Sequence, residues 1–155
     1  GGTGGNMSIV ITSDAIANTG DVIGDGYRNQ GMCGGNNDSP QLTWTVTGTN
    51  TDVASFRLRC VDEDASDFVH WSVDGIAAAT GSIAENAAWS GANAGVTVNT
   101  TDFGSGDRAN GWGGPCPMGT FHTYNIQITA HDSGGNPVTQ DGINLVSNIL
   151  SFEKD

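Results

Sequence analysis

At 155 residues the chain is long enough for one domain with a real core. Its formal net charge of -12 sets up a field that repels nucleic-acid phosphates and anionic membrane surfaces. Only 14% of residues are charged, so the surface is covered mainly by Thr, Ser, Asn and Gly, and no window reaches the roughly 20 apolar residues of a membrane span.

The opening GGTGGN reads as a Gly-rich linker or cloning remnant over 1–6, ahead of a single domain over 7–155. No signal peptide is visible. Met7 to Thr12, MSIVIT, is a short apolar run and a first strand. Thr19 to Asn37 is Gly-, Asp- and Asn-rich and reads as loop. Gln41 to Thr47 alternates, with Leu42, Trp44 and Val46 on one face and Thr43, Thr45 and Thr47 on the other. Ser55 to Val61 alternates again: Phe56, Leu58 and Cys60 point inward, Arg57 and Arg59 outward. Phe68 to Val73 is another β-rich run. Ala77 to Gly95 reads as loops with Trp89 as its large anchor. Gly95 to Thr100 resumes a strand through Val96 and Val98.

Asp102-Phe103-Gly104 opens a long loop that ends in GWGGPCPMGTFHTY, Gly111 to Tyr124. From Thr120 to His131 a strand carries His122, Tyr124, Ile126, Ile128 and Ala130 on one face. The last residues are ambiguous: Ile143, Val146 and Ile149 or Leu150 fit a helical stripe, while ILSF fits a strand, which is the reading preferred here. Short β-runs, frequent turns and almost no helical periodicity predict an all-β two-sheet sandwich or barrel.

Three cysteines are an odd number and too few for a disulfide scaffold. Cys60 follows Phe56 and Leu58, which predicts a buried small hydrophobe. Cys33 and Cys116 both sit in Gly-rich loops, where a bridge between them and two free thiols are equally open.

If the alternation of the fourth run continues, Asp62 and Asp64 fall inward just past its apolar part. Buried carboxylates are costly unless hydrogen-bonded. They therefore mark a polar pocket, or else two turn aspartates facing solvent. His122 and Tyr124, at the mouth of a core strand fed by a stiff Gly/Pro loop, point to the same pocket.

The motifs NNDSPQLTW (Asn36 to Trp44), VDEDAS and VHW (Val61 to Trp71), DFG (Asp102 to Gly104) and GWGGPCPMGTFHTY resemble, in order and spacing, the phosphatidylethanolamine-binding protein family, which includes the Raf kinase inhibitor proteins. The chain looks most similar to small bacterial-type members. The resemblance implies a two-sheet antiparallel β-sandwich, little helix and a shallow pocket for phosphate-bearing headgroups, with no enzymatic activity and no cofactor. Carried onto this chain, it implies a ligand-binding set of Asp62, Asp64, His70, Pro115, Pro117, His122 and Tyr124, no catalytic residue, no metal ligand, and proximity of Cys33 to Cys116. Glu63 and Ser66 replace the two prolines of the family's acidic loop. Thr123 replaces an arginine often found after the histidine. The C-terminal helix that borders the family's pocket is reduced or missing, which implies a more open site.

A small anion needs donors and positive charge. His70 and His122 can supply both near neutral pH, backbone N–H groups of the 114–119 loop can add donors, and Tyr124 can donate its hydroxyl. Asp62 and Asp64 would orient the histidines, or accept from an ammonium headgroup or a protonated phosphate. The sequence lacks HxH and HExxH spacings for a metal and a GxSxG elbow for hydrolysis. The expected partner is a small phosphate-bearing anion or lipid headgroup, with no nucleic acid and no membrane span. The alternative expectation is an exposed accessory domain of a virion, tail or secreted assembly, with a protein partner and a vestigial or surface-contacting pocket. Composition leans toward an extracellular or virion-exposed setting.

Overall fold

The computed structural model describes residues 5–30, 33–78, 81–86, 96–104 and 111–155. The expected anchor Trp89 lies outside them. Eleven strands are described: β1 (Met7–Thr12), β2 (Asp21–Val22), β3 (Leu42–Gly48), β4 (Ser55–Asp62), β5 (Phe68–Ile76), β6 (Ser82–Ile83), β7 (Thr97–Val98), β8 (His122–His131), β9 (Thr139–Gln140), β10 (Ile143–Asn144) and β11 (Leu150–Lys154). Single 3-10 turns lie at Asp25–Tyr27 and Glu63–Ala65.

Period-two alternation sorts the strands into two sheets around one core. The larger has the order β2-β11-β8-β4-β5-β7 and the smaller β1-β3-β6, with β9 and β10 as a separate hairpin. Ile9, Ile11, Leu42 and Trp44 from the smaller sheet join Phe56, Leu58, Cys60, Ile126, Ile128 and Phe152 from the larger in one buried cluster. This is the expected all-β sandwich. One pairing departs from the antiparallel expectation: β2 runs parallel to β11, because the Gly20–Val22 stretch crosses back onto the sheet edge.

The edge of the smaller sheet is closed by side chains. Gln140 accepts from the Met7 N–H at 2.8 Å and donates to its carbonyl at 3.0 Å. Asn148 does the same for Ile11, at 2.7 and 3.1 Å. Two carboxamides thus imitate a neighbouring strand where bare backbone would invite another chain to pair. The same contacts fix the C-terminal segment, whose ambiguous pattern resolves into β10 and β11. Among the described residues no C-terminal helix borders the sandwich. No described helix is long and apolar enough to cross a membrane.

The central pair β4 and β8 positions the chemistry. Their register sets Asp62 opposite Tyr124 at one end and Ser55 opposite His131 at the other.

Candidate functional site

One wall comes from the Gly111–Gly119 loop, which is held by backbone and side-chain bonds from Trp112 to Cys116. Gly113 donates its N–H to the His70 carbonyl at 2.7 Å, and its own carbonyl accepts from His70 Nδ1 at 2.5 Å. Asn37, in the left-handed region at φ 58, donates to the Trp112 carbonyl at 2.9 Å and accepts from the Gly114 N–H at 2.6 Å. The buried Trp112 indole donates to the Tyr27 carbonyl at 3.1 Å. Gly114 is required by this packing, since a Cβ there would lie 2.4 Å from the Tyr27 carbonyl oxygen. A disulfide joins Cys33 to Cys116 with Cα atoms 5.7 Å apart, which decides between the bridge and two free thiols. Cys60 is the free cysteine, fully buried, and burial pushes its thiol well above the usual range.

The facing wall is the end of β4. Asp62 is the last inward residue and is buried at 4% exposure. Its Oδ2 accepts from His122 Nδ1 at 2.6 Å and its Oδ1 from the Asp64 N–H at 2.9 Å. The Tyr124 hydroxyl also bonds to it. The predicted continuation of alternation fails at the next residue. Asp62 caps a 3-10 turn, so Asp64 swings out to the exposed surface. There its carboxylate accepts from the Thr123 N–H at 2.7 Å, and Glu63 accepts from Asn125 at 2.8 Å. Asp64 is therefore a brace between the turn and β8. Ser66 lies at φ 54 and Asp67 at φ 57. A proline at 66 would be locked near −65° and could not adopt this turn, which accounts for the serine.

A cavity of about 190 Å³ lies between the walls, lined by Asp62, His70, Pro117, His122 and Tyr124 together with Phe68, Phe103, Ala65 and Cys116. Five of the seven proposed ligand residues are therefore brought together. Asp64 is on the outer side of the turn, and Pro115 is buried behind the wall, its carbonyl accepting from the Asn29 N–H at 3.2 Å. The Gly114 N–H, expected to face a ligand, is committed to Asn37.

The electrostatics differ from a simple cationic anion hole. Burial holds the His70 imidazole below its ordinary value, against the opposing effects of its Gly113 bond and of Asp62. Neutral His70 keeps its proton on Nδ1 for Gly113, which leaves Nε2 as an acceptor. Burial, then the Asp62 charge, pushes the Tyr124 phenol well up, so it stays protonated and its hydroxyl is turned toward Asp62. His122 is the partly open member, with its side chain 25% exposed and its Nδ1 on Asp62. The floor thus presents a carboxylate, an imidazole acceptor and one imidazole that forms an ion pair with Asp62 when protonated.

Several supporting residues carried no readable signal. Phe68 and Phe103 sit 4.9 Å apart edge to face, and each is 5.2 Å from the His70 ring. Tyr124 stacks on Phe152 at 5.0 Å. Lys154 pairs opposite His122 in the sheet, yet is buried and bound to Asp25 at 2.6 Å. Only the Asp-Phe-Gly motif could have flagged Phe103; the others depend on strand pairing.

None of the curated proteins matches the chain in sequence. Among solved structures the chain is similar to Escherichia coli YbcL, described as a new member of the mammalian PEBP family, with a TM-score of 0.74 and 24% identity over 96% of this chain and 98% of that one. It is also similar to CT736 from Chlamydia trachomatis, described as a PEBP homolog, with a TM-score of 0.68 and 21% identity over 96% and 97%. At such identities the likeness establishes the fold. The profile of the phosphatidylethanolamine-binding protein family matches residues 12–149, and the chain belongs to that family.

Proposed function

We propose that this protein is a non-enzymatic binding module whose cavity receives the head of a small phosphate-bearing ligand. The observation that carries the reading is the buried Asp62 carboxylate, bonded to His122 and Tyr124 and lining the same cavity as His70. A buried carboxylate beside a neutral imidazole repels a bare phosphate dianion. It favours a headgroup that brings its own proton donors, such as an ammonium or a protonated phosphate. His122 Nε2 is then the group placed to meet phosphate oxygen, with Asp62 balancing its charge. The apolar walls from Phe68, Phe103 and Pro117 suit the carbon spacer of such a ligand. A binding role is favoured over catalysis because Cys116 is tied in its disulfide and the Tyr124 hydroxyl is held by Asp62.

The test is NMR titration of the histidine rings with phosphoethanolamine and, in parallel, inorganic phosphate. The expected result is that His70 and His122 move first, and that phosphoethanolamine binds more tightly. His122→Ala should weaken binding while leaving the fold intact. A response confined to His131 would place the site elsewhere and overturn the reading.

A further inference from the structure

The far end of the β4–β8 pair carries a second polar constellation. Ser55 and His131 lie about 23 Å along the strands from Asp62 and Tyr124, at about 3.3 Å per residue. A cavity of about 320 Å³ there is lined by Ser55, Arg57, Asp74, His131, Asp132 and Ser133, among others. It shares Asp132 and Ser133 with an adjoining cavity of about 540 Å³ walled in part by Asp52. Both exceed the Asp62 cavity in size, and neither has an aromatic residue in its lining.

Two side chains in this site hold unused hydrogen-bonding capacity. His131 is 5% exposed; its Nδ1 donates to the Thr129 carbonyl at 3.3 Å, and among the described residues nothing meets its Nε2. The hairpin turn that follows brings Pro137 back to pair with the His131 backbone. Arg57 is held by one edge only, its Nε donating to Asp74 at 2.5 Å. Asp74 is itself fixed from the other side by Asn99 at 2.8 Å. The two Nη nitrogens of Arg57 have no partner among the described residues. A guanidinium clamped by Nε presents its Nη pair end-on, the planar fork that matches a carboxylate.

Charge decides what kind of carboxylate fits. Arg57 cancels Asp74, which leaves unbalanced negative charge from Asp132 in the same cavity and from Asp52 in the adjoining one. Asp132 spends Oδ1 on the N–H groups of Gly134 and Asn136, both at 2.9 Å, while Oδ2 has no partner among the described residues. A simple anion meets repulsion from these carboxylates and from the net charge of -12. The described residues include no metal-binding cluster, and a sugar ring would find no stacking platform. A molecule with a carboxylate at one end and an ammonium at the other satisfies both halves. We propose that this pole binds a small zwitterion, its carboxylate on the Arg57 fork and its ammonium on Asp132, an amino acid being the simplest member of the class.

The experiment is NMR titration of the full chain at fixed ionic strength, following the His131 ring and the Arg57 side chain. The probes are glycine, 4-aminobutyrate, acetate and ethylamine. Glycine or 4-aminobutyrate should give saturable shifts, with His70 and His122 unmoved; which of the two binds reports the span from Arg57 to Asp132. Acetate and ethylamine should bind at least about tenfold more weakly, because each lacks one charged anchor. Arg57→Gln and Arg57→Lys should both lose at least about tenfold in affinity, the lysine keeping the charge and losing the fork. The proposal is overturned if no probe saturates up to about 100 mM, if acetate matches the zwitterions, or if Arg57→Lys binds as well as the parent.

Discussion

Removing the Cys33–Cys116 bridge separates its effect on the whole chain from its effect on the site. The two cysteines are 83 residues apart. Releasing a loop of that size returns about 15 cal/mol/K of entropy to the unfolded chain, or about 4.5 kcal/mol at 25 °C, in the loop-closure account. Residual structure in the unfolded chain reduces the measured figure to about 2–4 kcal/mol. The pocket wall keeps its other anchors, since Gly113 still pairs with His70, Asn37 with Trp112 and Gly114, and Trp112 with Tyr27. Urea denaturation of the Cys33→Ser/Cys116→Ser double variant should therefore show a lower midpoint and a steeper slope, because a freer unfolded chain exposes more surface. The His70 and His122 ring signals should stay near their original positions. A stability loss under about 1 kcal/mol would refute the entropic reasoning. A collapse of both ring signals in the folded variant would show instead that the bridge alone shapes the wall.

Asp62→Asn should cost about 1–3 kcal/mol, because a buried acceptor shared by three donors is replaced by a group that must also place an NH2; chemical denaturation measures the loss, and nitrogen NMR should show His122 losing its preference for the Nδ1–H tautomer. For His70 the folded imidazole is held below its ordinary value of 6.5 by burial. The unfolded chain then gains protons first as pH falls, so stability drops from about pH 6.5 downward until the folded-state value is reached, with no change from this group above it; stability measured across pH 7.5 to 5 should show less of this decline in His70→Asn than in the parent. Gly114→Ala drives a methyl to within 2.4 Å of the Tyr27 carbonyl oxygen and should destabilise by about 1–3 kcal/mol; a thermal midpoint equal to the parent's would mean that the Tyr27–Asn29 segment yields freely. Cys60, with its thiol buried and kept protonated, should react with a thiol reagent only after denaturation; labelling of the native protein would show the strand pair opening.

Much of the fold was legible because a half-buried strand writes its burial directly into every second residue. The alternations of 41–47, 55–61 and 120–131 predicted β3, β4 and β8, with errors of one or two residues at the ends. The pattern stopped being readable where the backbone left the strand. Asp62 and Asp64 have the same parity, yet a 3-10 turn buries the first and exposes the second. Parity says nothing about a chain that has begun to turn, and the turn depends on Asp62 capping the Asp64 N–H while β8 supplies Thr123 and Asn125.

The amino-acid sequence determined on its own the strand-rich class, the repulsion of polyanions, the buried character of Cys60 and, through ordered motifs, the family. Those properties live in composition, local periodicity and short spacings. Tertiary structure decided the rest. It joined Cys33 to Cys116, placed Phe68 and Phe103 around His70, and left Pro115 behind the wall. It also set the proton positions of the site. The Gly113 carbonyl claims one nitrogen of His70 and Asp62 claims one of His122, and these are contacts between residues 43 and 60 positions apart. Desolvation and hydrogen bonding act through space, so the difference between a donor and an acceptor at this pocket exists only once the chain has folded.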